Sequence, residues 1–195
     1  MRDEIEVKFR VESHQAMRRA LQQAGATFLG TVLHTDRYLD RSDGSLRKAQ
    51  CGLRLRTARV MRKGSLSQNL RPQLTYKGPL KPHAKMKIRP EVQFRLDDPD
   101  SLLNVLEAVG LKVCAVIEKR RSTYRLGRSL VELDEIPLLG CFVEVESPTR
   151  REVESLCQRL GLTGQTIRES YLHLAMSEAA RRGRRTDRIV FPRRR

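Results

Sequence analysis

The chain has 195 residues, enough for one domain with a real core or for two small ones. It is 32% charged, carries a formal net charge of +16, and is only 5% aromatic with no Trp; this points to an anionic partner, whether nucleotide, polyphosphate, nucleic acid or acidic lipid, and weakens single-strand binding by base stacking. The four Cys (51, 114, 141 and 157) include no CxxC pair, so neither a zinc site nor a disulfide framework is expected, and no apolar run approaches the ~20 residues of a membrane span.

Residues 4–9, Glu4-Ile5-Glu6-Val7-Lys8-Phe9, alternate strictly. On a strand this puts Glu4, Glu6 and Lys8 on one face and Ile5, Val7 and Phe9 on the other. Ser13 is placed to cap a helix running to about Gly25, with Met17, Leu21 and Ala24 on one face. Strands are expected over His34–Leu39, over Leu53-Arg54-Leu55-Arg56 with both Arg on one side, and over Gln73–Lys77. The polar stretches 59–70 and 79–85 read as loops. From Met86 to Leu96 the alternation is continuous: Lys87, Arg89, Glu91, Gln93 and Arg95 oppose Met86, Ile88, Pro90, Val92, Phe94 and Leu96.

Asp98-Pro99 opens a second helix that ends near Gly110. Strands are predicted over Val116–Tyr124, Leu130–Glu135 and Phe142–Glu146. Thr149 with Glu152 is a capping box for a third helix that stops at Gly161, and a fourth covers roughly 167–182. About eight strands and four helices make an α+β chain. Segments 5–26, 91–111 and 142–162 each read strand, helix and a Gly between small or apolar residues, a hint of internal pseudo-symmetry. The last fifteen residues hold eight Arg and one Asp and contribute +7 of the net charge. They are expected to form a basic, mobile tail over 181–195, behind a single domain of residues 1–180.

The charged residues at alternating strand positions are the candidate chemistry. The acids are Glu4, Glu6, Glu91, Glu132, Asp134, Glu144 and Glu146; the bases are Lys8, Arg54, Arg56, Lys77, Arg89, Lys119 and Arg121. Same-face neighbours lie ~6.5–7 Å apart along a strand. Carboxylates at that spacing can share hard divalent ions through oxygens and waters, while rows of Lys and Arg suit a chain of phosphates. From alternation alone, a charged cavity and a solvated sheet face fit equally well. There is no Walker loop, and the scattered His14, His34, His83 and His173 suggest no hydrolase triad or zinc hydrolase. Arg121 and Lys77 have apolar strand neighbours for packing, so both are expected to serve a substrate rather than stability.

The ordered set of segments resembles a family. Glu4-Ile5-Glu6-Val7-Lys8 is an ExExK strand, followed by Leu53-Arg54-Leu55-Arg56, Thr75-Tyr76-Lys77-Gly78-Pro79, Arg89-Pro90-Glu91, Glu118-Lys119-Arg120-Arg121 with Tyr124, Leu133-Asp134 and Leu139-Gly140-Cys141-Phe142-Val143-Glu144-Val145-Glu146. Over about residues 4 to 175 the chain resembles the CYTH superfamily, the triphosphate tunnel metalloenzymes, and its class IV adenylate cyclase branch through His34–Asp40, Tyr76–Pro79 and Leu139–Glu144. The resemblance implies an eight-stranded antiparallel closed tunnel barrel with a charged interior. It implies that Lys8, Arg54, Arg56, Lys77, Arg89, Lys119 and Arg121 hold a triphosphate, with Lys77, Lys119 and Arg121 catalytic. Glu4, Glu6, Asp134, Glu144 and Glu146 would bind Mg²⁺ or Mn²⁺, with Glu91 and Glu132 supporting. The implied activity is conversion of ATP to cyclic AMP and pyrophosphate. Alternatives are hydrolysis of inorganic or thiamine triphosphate, and a polyphosphate- or RNA-binding module without turnover. A cytoplasmic protein is expected, with a nucleoside triphosphate or other triphosphate as partner. No membrane is expected, a nucleic acid is kept open only by the Arg-rich tail, and a homodimer stays open.

Overall fold

A computed structural model of the chain describes residues 2–62 and 65–192. In chain order the elements are β1 (Arg2–Val11), α1 (Gln15–Gln23), β2 (Thr27–Asp40), α2 (Ser45–Lys48), β3 (Gly52–Arg62), β4 (Ser65–Lys77), β5 (Lys87–Arg95), α3 (Pro99–Ala108), β6 (Lys112–Leu126), β7 (Ser129–Ile136), β8 (Gly140–Glu146), α4 (Arg150–Arg159), α5 (Tyr171–Arg181) and β9 (Arg188–Ile189).

The helix ends follow local chemistry. Asp98 accepts from the backbone N–H of Asp100 and Ser101, and Thr149 from that of Glu152, as capping predicts. The cap of α1 is His14 rather than Ser13, and its side chain makes no capping bond. Each of α1, α3 and α4 stops on a glycine with positive φ: 75° at Gly25, 85° at Gly110 and 68° at Gly161. Beyond it, the N–H of Ala26, Leu111 or Leu162 returns to the carbonyl of Leu21, Leu106 or Cys157. A residue with a Cβ is disfavoured in that conformation. These are the three look-alike segments of the sequence, and their strands β5, β1 and β8 lie side by side in the sheet.

The sheet runs β2-β3-β4-β5-β1-β8-β7-β6, and β2 pairs with β6 to close it. Every pairing in this ring is antiparallel. The expected closed eight-stranded barrel is therefore the fold. Closure pairs every strand of the ring on both sides, although β6 runs on beyond the reach of β7. The ninth strand, β9, lies parallel on β6 at Val116 and Ile117, next to where the pairing of β7 with β6 begins at Arg120.

Alternation sets the two faces. Outward-pointing Val7, Phe9, Ile88, Val131, Leu133, Val143 and Val145 pack with Met17 and Leu21 of α1 and with Val153, Leu156 and Cys157 of α4. Leu39, Leu55 and Leu74 are covered by Leu102, Leu103 and Leu106 of α3. A third cluster lies at one end of the lumen. Ile117, Ile136 and Phe142 share the inward face with Lys119, Asp134 and Glu144, and Tyr171, Ala175 and Ala179 of α5 pack on them. Helix α5 thus covers that end of the barrel.

Three expectations change. The stretch 59–70 is not a loop: in its described part, Arg59–Arg62 and Ser65–Leu70 pair as the outer arms of the β3–β4 hairpin. A short fifth helix, α2, is organised by Asp40, whose carboxylate accepts the N–H groups of Arg41, Leu46 and Arg47. The described part of the basic end is docked rather than loose. Ile189 is 3% exposed, the Asp187 carbonyl accepts from Val116 N–H, the Phe191 N–H donates to Glu118, and the Arg120 guanidinium stacks on the Phe191 ring. Three apolar residues suffice because β6 has an edge open beyond β7. The final Arg193–Arg195 lie outside the described residues.

Candidate active site

The lumen is a cavity of about 1500 Å³. Its geometry follows from register. Around the ring, Lys77 faces Glu91, Arg89 faces Glu4, Lys87 faces Glu6, and Lys8 faces Glu144. Then Glu144 faces Glu132, Arg121 faces Asp134, His34 faces Lys119, and Asp36 faces Arg56. Every inward position is a direct cross-strand neighbour of another. The turn after Lys77 depends on Gly78: a Cβ there would lie 2.7 Å from Pro90 Cγ, so only glycine lets the end of β4 close on β5.

All the sequence-predicted site residues come together here. Every one lines the cavity except Asp134, which is 0% exposed and sits behind Arg121 and Lys119. Lys77 Nζ lies 2.6 Å from Glu4 and 2.7 Å from Glu91. Lys8 Nζ lies 3.4 Å from Glu144 and donates to the Glu169 carbonyl at 2.9 Å. The Arg121 guanidinium is a hub: Nε donates to Asp134 at 2.6 Å, and its terminal nitrogens meet Glu132, Asp134 and Glu144. Arg121 therefore ties three carboxylates of the wall together, a structural tie that the sequence reading did not anticipate. Arg89 spends its guanidinium on the backbone carbonyls of Gly78 and Gln50. It braces the turn that carries Lys77.

Two inward residues escaped the sequence reading. Asp36 takes a two-pronged bond from Arg56, at 2.6 and 2.8 Å, with Arg54 3.9 Å away. Lys87 pairs with Glu6 at 2.8 Å. Lys87 had a signal, because it alternates in step with Arg89 and Glu91. Asp36 alternates with His34 and Tyr38, a weaker cue. From outside the ring, Arg168 and Tyr171 also line the lumen. Lys8 Nζ stands 3.7 Å from the Tyr171 ring centroid and Lys119 Nζ 5.1 Å from it.

Burial tunes these groups in opposite directions. It pushes Glu4 up to about 7, with help from Glu6 and against the pull of Lys77. Burial, Glu132 and Glu6 do the same to Glu146, which makes no ion pair among the described residues. Burial is the largest single influence on Glu6 too, yet Lys87, Lys77 and Lys8 together outweigh it and hold the carboxyl down to about 2. Burial lowers Lys8 and Lys119 to about 8, each with a neighbouring cation adding to the effect. Burial would raise Asp36, Asp134 and Glu144, but the cations beside them win and all three fall below the usual carboxylate range.

The inward carboxylates Glu4, Glu6, Asp36, Glu91, Glu132, Asp134, Glu144 and Glu146 are interleaved with the inward bases Lys8, Arg54, Arg56, Lys77, Lys87, Arg89, Lys119 and Arg121. Most are spent on one another, and no ready-made cluster of three metal-ligating groups stands among the described residues. The oxygen-only donors nonetheless fit a hard divalent ion. Glu4 and Glu146 bear carboxylates whose charge is disfavoured until a cation arrives, and Glu146 has no competing base.

A closed antiparallel barrel whose inward face alternates acids and bases defines a tunnel-barrel protein with a charged lumen. The CYTH domain model matches residues 2–167, and the chain belongs to this family. A Methanocaldococcus jannaschii protein named as a candidate adenylate cyclase is 24% identical over 181 residues, 88% of this chain and 97% of that one. The solved structure of the Pyrococcus horikoshii protein PH1819 superposes with a TM-score of 0.75 at 26% identity, over 90% of this chain and 99% of that one. A Hippeastrum protein, a candidate adenylyl cyclase with a dominant triphosphatase activity, superposes with a TM-score of 0.65 at 18% identity, over 93% and 97% of the two chains. No helix among the described residues is long and apolar enough to cross a membrane.

Proposed function

We propose that this chain is a divalent-cation-dependent enzyme acting on a triphosphate held in the lumen, with ATP as substrate and cyclic AMP and pyrophosphate as products. The observation that carries the reading is the pairing of acids and bases around a closed wall. A pure anion binder gains nothing from eight carboxylates beside its phosphates. A triphosphate entering with divalent cations gives the carboxylates as well as the bases a partner, which a bare anion would not.

Lys8, Arg54, Arg56, Lys77, Lys119 and Arg121 bind phosphate oxygens; as they exchange protein carboxylates for phosphate, Lys8 and Lys119 move back up from about 8 and stay protonated. Glu4, Glu6, Glu144 and Glu146, with Asp134 behind them, are the oxygen donors for Mg²⁺ or Mn²⁺, which when bound neutralises charge developing on the phosphates and lowers the pKa of a bound hydroxyl. Glu91 and Glu132 hold Lys77 and Arg121 in place. The fixed array orients the chain of phosphates so that the ribose 3′-oxygen attacks the α-phosphorus in line and pyrophosphate leaves. The cyclase reading is supported by the relative from Methanocaldococcus jannaschii, matched nearly end to end. The second reading is hydrolysis of the terminal phosphate of inorganic or thiamine triphosphate; the same array serves it if water replaces the ribose hydroxyl.

Incubation with ATP, and separately with inorganic tripolyphosphate, in Mg²⁺ or Mn²⁺, followed by chromatography, tests both. Cyclic AMP with pyrophosphate supports the cyclase. ADP with orthophosphate, or cleavage of tripolyphosphate alone, supports the hydrolase. No turnover of either compound would reduce the protein to a polyphosphate-binding module and sink the proposal.

A further inference from the structure

The residue closing the lumen at the α5 end is Tyr171, the first residue of a helix capped by Ser170, whose Oγ accepts from His173 N–H. Tyr171 is 8% exposed, and its hydroxyl is buried without a hydrogen-bond partner. Such a group costs stability unless something meets it. The ring is well held, edge to face with Phe142 at 5.2 Å between centroids, and the ammonium groups of Lys8 and Lys119 lie over it. Tyr171 is part of the lumen wall, and the charges nearest its hydroxyl belong to the inward-facing Asp134, Glu144, Arg121 and Glu6. Burial first, then Asp134 and Glu144, push the phenol well above its ordinary range against the pull of Arg121, so it stays a donor. Nothing in the barrel's packing needs an oxygen there. A Phe would fill the same space.

We propose that Tyr171 is a substrate-binding residue. Its O–H donates to a phosphate oxygen of the bound triphosphate, and its ring seats Lys8 and Lys119 for the same group. This rests on the triphosphate reading above and adds a donor from outside the barrel wall, on a helix that closes one end of the lumen.

The test is Tyr171→Phe, which keeps the ring, the contact with Phe142 and the seat for both lysines, and removes only the oxygen. Binding of inorganic tripolyphosphate with Mg²⁺ is measured by isothermal titration on the full chain, together with melting temperature and the tyrosine ultraviolet difference spectrum. The expected result is about ten- to a hundredfold weaker binding, the range for a lost hydrogen bond to a charged group. Melting should be unchanged or raised without ligand, and the binding-induced tyrosine band of the wild type should be lost in the variant. Tyr171→Leu, which also removes the lysine seat, should bind more weakly still. If wild type binds and Tyr171→Phe binds equally well with the band retained, the proposal is overturned while the triphosphate reading stands. A Tyr171→Phe that melts lower but binds normally also overturns it, because the oxygen is then structural. If the wild type binds no triphosphate, both readings fall together.

Discussion

Replacing Arg121 by Ala should unfold the protein at markedly lower temperature, even with no substrate present. The guanidinium meets Glu132, Asp134 and Glu144, all in the buried wall. After its removal, Asp134 keeps Lys119 at 3.1 Å and Glu144 keeps Lys8 at 3.4 Å. Glu132 keeps no ion pair among the described residues. Deleting one partner of a buried ion pair costs ~3–5 kcal/mol. The two lysines absorb part of that, so ~3 kcal/mol is the working figure, or roughly 6–12 °C in a domain of this size. The sign with pH is fixed. Without Arg121 the three carboxylates move up, their charged forms become costly, and the deficit grows as pH rises through the raised values. Asp134 and Glu144, held low in the wild type, already contribute in full at pH 5, so melts of both proteins in chelator should show a clear gap at pH 5 that widens by pH 7, with Mg²⁺ narrowing the latter. A gap under about 2 °C at pH 7 would refute the hub role.

Glu146 and Glu4, at about 7 in the folded chain against 4.5 ordinarily, subtract stability progressively as pH rises from 4.5 to about 7. Lys8 and Lys119, at about 8 against 10.5, subtract fully below 8 and give the loss back as pH rises toward 10.5. The metal-free contribution of these four is thus lowest between pH 7 and 8, and Glu146→Gln should raise the melting temperature at pH 8 but not at pH 4.5; equal effects at both would contradict the assignment. Ile189→Ala should lower the urea midpoint by an amount equivalent to ~2–3 kcal/mol, because a 3%-exposed side chain leaves a cavity; an unchanged midpoint would restore the picture of a dispensable tail. Gly78→Ala, with its Cβ 2.7 Å from Pro90, should weaken tripolyphosphate binding through Lys77 more than it lowers the melting temperature, and the reverse order would make the turn purely structural.

The barrel was legible where alternation is strict. In β1, β5, β7 and β8 each inward charge is separated from the next by an outward apolar residue, and nearly every predicted site residue came from those runs or from the Arg and Lys pairs of β3, β4 and β6. Legibility failed where the solvent side is also polar. Along the outer arms of β3 and β4 the period-2 contrast vanishes, and in β2 a register shift between Phe28 and Gly30 breaks the phase. Tyr171 was invisible as a site residue for a different reason. Its spacing with Ala175 and Ala179 marks a buried helix face, but helical periodicity does not say which cavity that face closes. The Arg-rich end misled because its charge outweighed Ile189, whose partner strand lies more than seventy residues upstream.

The position of β1 between β5 and β8 sets an order of events during synthesis. Glu6 pairs with Lys87 on one side and Glu146 on the other, so the first strand made is among the last to be satisfied on both edges. At ~5–20 residues per second, roughly 7–30 s separate its emergence from that of β8. Through that interval an extended N-terminal strand waits with open hydrogen-bonding edges, the geometry most prone to pairing with another chain. Its Glu4, Glu6 and Lys8 make such pairing costly, since an in-register copy would set like charges against each other. The residues that line the finished lumen thereby protect the unfinished one, and a variant with Glu4 and Glu6 neutralised should leave the ribosome more prone to aggregate even if its folded form is the more stable.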